Sequence, residues 1–342
     1  MSMISDSPRV QGRLKLAWLT AAAALSIVLW FTLEQMLQRP THPQFAEMLM
    51  AARSMQAASR VLRLEKEMRG LTPSAQADPN RTGMIGQEYT PITTTLGQLT
   101  AKRTATNPDF AAALIRQIAP LGLARGTPVV IVVSGSFVGG DVAAIIAIET
   151  LGLRPIVIAS LSASMWGANE PEFNLIHMLA ALRERNVIRA RAIAAVLGGG
   201  GAIGGNMDAD GVAALRGSAA RDGVPIVESR PVSALIDALL ARINTAAGDT
   251  RPGLVINVGG ALIGLGSCRE SHELPPGLTR KAPPCNDGTP GLAMRLAAEG
   301  APILHIINIR RLALEWGLPF DPTPLPIPGN NRAIYGAARP AS

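Results

Sequence analysis

The sequence predicts an α/β protein: a mostly parallel, doubly wound sheet of about six strands behind a single N-terminal transmembrane helix. Three observations predict it. Residues 127–147 read as a β-branched run, a loop of small residues and an Ala/Ile helix, the strand–loop–helix unit of an open α/β sheet. From there to about residue 316, short apolar runs alternate with helical patterns, which implies parallel strands covered on both faces. Residues 16–33 form an 18-residue stretch without a charge, long enough at about 1.5 Å per residue to cross bilayer hydrocarbon.

Taken in order, residues 1–38 read as a cytoplasmic tip and anchor. Trp18 and Trp30 lie near the two ends of the apolar run, where interfacial belts favour them. A cleaved signal peptide would finish in a small-x-small site, whereas Leu29-Trp30-Phe31-Thr32-Leu33-Glu34 follows the alanines here. Arg9, Arg13 and Lys15 precede the run, so the positive-inside rule keeps the N-terminus cytoplasmic. The expected location is therefore the inner (plasma) membrane, single-pass, with the bulk of the chain periplasmic or otherwise extracytoplasmic.

Residues 39–85 are expected to form a juxtamembrane amphipathic helix and linker. Phe45, Met48, Leu49, Met55, Ala58, Val61, Leu62 and Met68 recur at three- and four-residue steps. Such a helix either packs on the domain or serves as an interface in a homo-oligomer or complex. Residues 72–82 are turn-rich. The α/β domain is expected over 86–328, with a tail over 329–342. Asn107-Pro108-Asp109 combines an N-cap, a first-position proline and an acid in the first turn, and starts a helix running to about 118. Strands are expected near 128–133, 154–159, 190–196, 224–228, 253–258 and 302–308. Helices are expected near 139–150, 171–184, 211–221, 232–244, 290–299 and 310–316.

At 342 residues the chain supports one full core. Apolar residues make up 48% and aromatics only 4%, so that core is built of Ala, Val, Ile and Leu. The net charge is +7; +2 falls before residue 45, leaving +5 on the remainder, which favours anionic partners. Lysine-rich runs and aromatic-interleaved basic patches are missing, which excludes a nucleic-acid binder.

Four loops that follow predicted strands are made of small residues: 134–141, 160–167, 198–208 and 257–266. A parallel sheet brings all four to one edge, where backbone amides approach a ligand closely. The candidate binding residues are Gly135, Gly139, Gly140, Ser162, Ser164, Gly199, Gly201, Gly204, Gly259 and Gly260.

Gly199-x-Gly201-x-x-Gly204, with Glu228 24 residues later, matches a dinucleotide fingerprint by pattern. Its helix should be running by Ala202, yet Gly205, Asn206, Asp208, Asp210 and Gly211 break it, and no cofactor is expected. A phosphate-binding G-K-[ST] is missing as well. Ser134 and Ser136 are candidate nucleophiles on a sharp turn, with Asp141 as the accompanying carboxylate. His177 and His305 sit in apolar runs and read as packed core residues. Asp208 and Asp210 either cap a helix or hold a cation, and no metal site is expected. Cys268 and Cys285 are the only cysteines; outside the cytoplasm they read as a disulfide. A zinc site with His272 and Asp287 would fit no common ligand spacing.

Together, Tyr89-Thr90-Pro91-Ile92-Thr93-Thr94-Thr95-Leu96-Gly97, Ala101-Lys102-Arg103-Thr104, Asn107-Pro108, Ser134-Gly135-Ser136-Phe137, Ala163-Ser164-Met165-Trp166-Gly167-Ala168-Asn169 and Asn257-Val258-Gly259-Gly260 resemble the poly-γ-glutamate system proteins. The resemblance covers roughly residues 89–308 and the anchor. It implies an accessory membrane protein acting with the synthase membrane subunits that make and export capsular poly-γ-glutamate. It carries over no catalytic residues. A basic outward-facing domain suits this polymer of carboxylates, and Lys102 and Arg103 are the natural grip through charge-assisted hydrogen bonds. The expected function is binding or guiding the polymer or its γ-glutamyl ends. The alternatives are a γ-glutamyl hydrolase or transferase with a serine nucleophile, and a non-catalytic scaffold.

Overall fold

The computed structural model describes residues 8–37, 41–71 and 74–336. The chain divides into two units: Gln44–Tyr335, and Met1–Pro43 with Gly336–Ser342. In the second of these a single helix spans Pro8–Leu37. Its side chains are described from residue 18 to residue 32. Trp18, Leu19, Leu25, Ile27, Val28, Leu29, Trp30 and Phe31 are all exposed. Ser26 and Thr32 return their hydroxyls to the helix's own carbonyls at Ala22 and Val28, each at 2.9 Å. Among the described residues no helix is long and apolar enough to cross a membrane; the expected span, 16–33, reaches beyond the described side chains at both ends.

The Gln44–Tyr335 unit is built on a six-stranded sheet. The strands, in chain order, are β1 (Thr93–Thr95), β2 (Pro128–Ser134), β3 (Arg154–Ser160), β4 (Ala163–Ser164), β5 (Ala192–Val196), β6 (Leu254–Val258), β7 (Gly277–Thr279) and β8 (Ile303–Ile306). The main sheet has the order β5-β3-β2-β6-β8-β7. All its pairs are parallel except β7–β8. β1 and β4 form a separate parallel pair. The chain moves outward from β2 through β3 to β5, then returns to the other side of β2 with β6. The strand order therefore reverses between β2 and β6, and such a reversal opens a crevice at the carboxyl ends of the strands.

The strand residues explain the layering. All seven residues of β2 are buried, because helices cover both faces of a parallel sheet. Val129, Ile131 and Val133 join a core with Phe45–Met68, Asp109–Ile118 and Val138–Thr150, while Val130 and Val132 join Val232–Ala247 and Leu292–Ala298. As the composition predicts, that core is mainly Ala, Val, Ile and Leu.

The helix expected within 39–85 takes the first of its two alternatives and packs on the domain, in the same compact unit as the sheet. Its stripe of Met48, Met55, Ala58 and Leu62 is fully buried, which identifies it as a packing face; Met50, Leu64 and Met68 remain exposed. Lys66, fully buried on this helix, pairs with Glu170 at 2.5 Å and donates to the Ile85 carbonyl at 2.7 Å. The strand expected at 224–228 amounts to one bridge, Ala195 to Ile226, because proline at 225 limits its pairing. The sixth strand of the sheet is instead β7, which runs antiparallel.

The other elements fall close to their sequence signals. At the start of the Asp109–Ile118 helix, whose N-cap residue is Pro108, Asn107 Oδ1 accepts from the Asp109 amide at 3.0 Å. The stretch expected as a tail, 329–342, includes a short helix, Arg332–Tyr335, with Ile334 and Tyr335 buried. The Tyr335 hydroxyl donates to Asp109 Oδ1 at 2.6 Å, and burial pushes the Asp109 carboxyl up to about 6. Tyr335→Phe leaves that buried carboxyl without its donor and is expected to cost about 1–3 kcal/mol, read by urea unfolding at pH 7. Cys268 and Cys285 are joined in a disulfide, so neither sulfur is a metal ligand, and Asp287 accepts from the Arg269 amide instead. Closing that loop is worth about 3 kcal/mol; Cys268→Ser should lower the denaturation midpoint accordingly.

Candidate functional site

A cavity of about 480 Å³ lies at the carboxyl edge of the sheet. All four small-residue loops contribute to it: Ser134, Ser136 and Phe137; Ser160, Ser162 and Ser164; Gly198–Gly200, Ala202 and Asn206; and Gly259–Leu262. Thr94, Thr95 and Leu96 close one side, held there because β1 pairs with β4. The cavity therefore sits over the β2–β6 reversal.

Local geometry explains the small residues. A Cβ on Gly135 would fall 2.9 Å from the carbonyl oxygens of Leu161 and Ser162, and one on Gly139 would fall 2.4 Å from that of Ala105. Gly140 faces Val258 and Ile306. These three glycines allow close packing and do not line the cavity. Gly201 and Gly204 lie in a tight turn with positive φ and are outside the lining as well. The helix after this turn begins only at Ala209, and Glu228 is paired with Arg216. The dinucleotide fingerprint is therefore a coincidence of spacing. Asp208 occupies the N-cap position without a side-chain capping bond.

The hydroxyls are arranged in a consistent sense. Ser134 Oγ accepts from the Ser136 amide at 3.3 Å, and Ser136 Oγ accepts from the Ser164 amide at 3.0 Å. Ser162 Oγ accepts from the Gly199 amide at 2.9 Å, and Ser164 Oγ accepts from Lys102 Nζ at 2.8 Å. A hydroxyl that already accepts from the fold keeps its proton for a ligand. Four serines thus offer donors to one cavity, and among the described residues none of its lining side chains is a carboxylate.

Lys102 lies beneath this surface, 4% exposed. It also donates to the Ser136 carbonyl and sits 5.0 Å from the centre of the Phe137 ring. Burial pushes its ammonium down to about 7, against a smaller upward pull from Asp141. Asp141 is completely buried, and desolvation holds its carboxyl well above the usual range. Its Oδ1 accepts from the Ser134 amide at 3.1 Å; its bond is to the backbone of that turn and not to a hydroxyl of Ser134 or Ser136. Arg103 turns away, paired with Asp321 and bonded to the Gln76 carbonyl, so of the two expected basic residues only Lys102 reaches the site. His177 contacts Arg221, outside the cavity. His305, buried in β8, is pushed down to about 4 by burial and is neutral at physiological pH.

Ser160, Gly198, Gly200 and Asn206 line the cavity from loops the sequence places at this edge, though none is among the individual candidate contacts, and Thr94 and Thr95 line it from outside those loops. The threonines reach the cavity only through the β1–β4 pairing, a non-local contact that no local pattern announces. Fold and cavity together define the class: an open α/β protein with a serine-lined crevice at its topological switch point. No family model, curated protein or solved structure matches the chain.

Proposed function

We propose that this is a membrane-anchored accessory protein of poly-γ-glutamate synthesis and export, whose crevice takes a carboxylate of the polymer or of its γ-glutamyl end outside the membrane. The observation that carries the reading is the uniform donor sense of Ser134, Ser136, Ser162 and Ser164 around a cavity lined by no acid among the described residues. A carboxylate is an acceptor-only group and matches such a wall. The resemblance of the loop sequences to poly-γ-glutamate system proteins supplies the polymer. The exposed apolar surface of the Pro8–Leu37 helix supports an anchor in the bilayer, and the Cys268–Cys285 disulfide supports an oxidising compartment. Contact with the synthase membrane subunits belongs to the same reading, as the resemblance implies.

Titrating the full-length chain in detergent with poly-γ-glutamate at low and high salt tests the reading. Saturable binding that weakens as salt rises is expected, since screening acts on charge-assisted contacts. If the polymer does not bind at low salt, the protein is a scaffold instead.

A further inference from the structure

We propose that Ser164 and Lys102 form a serine–lysine dyad, and that the crevice carries out acyl transfer on γ-glutamyl amides through an ester on Ser164 Oγ. The substrate named here rests on the polymer reading above; the dyad rests on geometry alone.

Of the serines in the wall, Ser164 is the one within reach of a base. Its Oγ lies 2.8 Å from Lys102 Nζ, inside the distance a nucleophile and its base require. A third group orients the base, because Lys102 Nζ is also bonded to the Ser136 carbonyl. The contact is confined from behind: a Cβ on Gly97 would stand 2.9 Å from Lys102 Cε and 3.2 Å from Ser164 Oγ. Ser164 opens on the cavity while Lys102 is excluded from water, so the base approaches from the protein side and the substrate from the other. Desolvation brings the amine to about 7 against the upward pull of Asp141, so near pH 7 about half of it is neutral, as a lysine base needs.

The chemistry balances with water as the only co-reactant. Ser164 Oγ attacks the γ-carbonyl carbon, its proton passing to neutral Lys102 Nζ. The oxyanion is met by hydroxyl protons of the serine wall. Collapse breaks the C–N bond, and Lys102 returns the proton to the leaving α-amine, freeing one chain. Water then attacks the ester, giving its proton to Lys102; the ester C–O bond breaks, and Ser164 Oγ recovers that proton. An amine of another chain in place of water gives transfer instead of hydrolysis.

A fluorophosphonate reporter tests the dyad without the polymer, since attack by Oγ forms P–O and expels fluoride. On the full-length chain, peptide mapping should place the label on Ser164, with a rate rising about tenfold from pH 6 to pH 8 as the amine loses its proton. Ser164→Ala should abolish labelling, and Lys102→Arg should slow it about 100-fold or more while circular dichroism shows a folded chain. γ-Glutamyl oligomers are then incubated with the protein and sized by mass spectrometry. Label on Ser164 with shortened oligomers supports the whole proposal. Label on Ser164 with intact oligomers overturns the substrate and keeps the dyad. No label on Ser164 of the wild-type chain at any pH overturns the dyad, whatever the polymer titration shows.

Discussion

Unfolding free energy should rise by about 3 kcal/mol between pH 7 and pH 9.5 in the wild-type chain, and this rise should vanish in Lys102→Met. The folded chain holds the Lys102 ammonium at about 7, against 10.5 for an ordinary lysine. Between those values the unfolded chain keeps the proton and the folded chain has released it. Stability therefore increases with pH across that window, and below pH 7 the folded state carries the full cost of the buried charge. Asp141 offers only partial relief, because burial favours its neutral form too. The same titration reaches the ligand. Below pH 7 the ammonium donates to Ser164, which is left to donate into the cavity. Above pH 7 that donor weakens, so carboxylate binding should fall just as the reactivity of Ser164 rises. Urea melts of both chains at half-unit pH steps read the stability arm. A wild-type curve parallel to that of Lys102→Met would show that Lys102 is solvated.

The second large effect comes from the buried pair Lys66–Glu170. Lys66→Met should destabilise the chain by about 3–5 kcal/mol, because it strands a buried carboxylate. Glu170 is 2% exposed, and its other oxygen accepts from Gln87 at 3.1 Å. The pair joins the Phe45–Met68 helix to the loop that carries Asn169, whose side-chain amide bonds Gln87 and Thr93. Through β1 this network positions the Thr94–Leu96 wall of the crevice. Lys66→Met combined with Glu170→Leu should recover most of the loss, since replacing a buried pair by apolar groups is often near neutral. A double variant as unstable as the single one would mean that the loss comes from packing and not from an orphaned charge.

The sheet and its site edge were legible because local signals agree there. β2 ends where its β-branched run meets Ser134-Gly135-Ser136, and the next three small-residue loops follow strand patterns of the same kind. Parallel pairing then places all four loops at one edge without further information. What stayed hidden is non-local. The glycines of the 134–141 loop look like ligand contacts, yet Gly135 and Gly139 exist because other backbones pass within 3 Å of where a Cβ would be. Lys102 and Arg103 are adjacent in the chain and face opposite fates: one buried against Ser164, the other paired with Asp321. Only the helix Leu99–Ala105 and its packing separate them. The Phe45–Met68 stripe announces a helix with one apolar face, but whether that face meets the domain or a partner is decided by tertiary packing.

The central claim is that γ-glutamyl carboxylates enter this one crevice. A γ-glutamyl oligomer carrying a photoreactive diazirine, irradiated with the full-length chain at pH 6 and mapped by peptide mass spectrometry, tests it most directly. Adducts should concentrate at residues 94–96, 134–137, 160–164 and 259–262, and free oligomer should displace them. Adducts on the exposed side of the Phe45–Met68 helix, or spread over the surface and indifferent to competitor, would contradict the account.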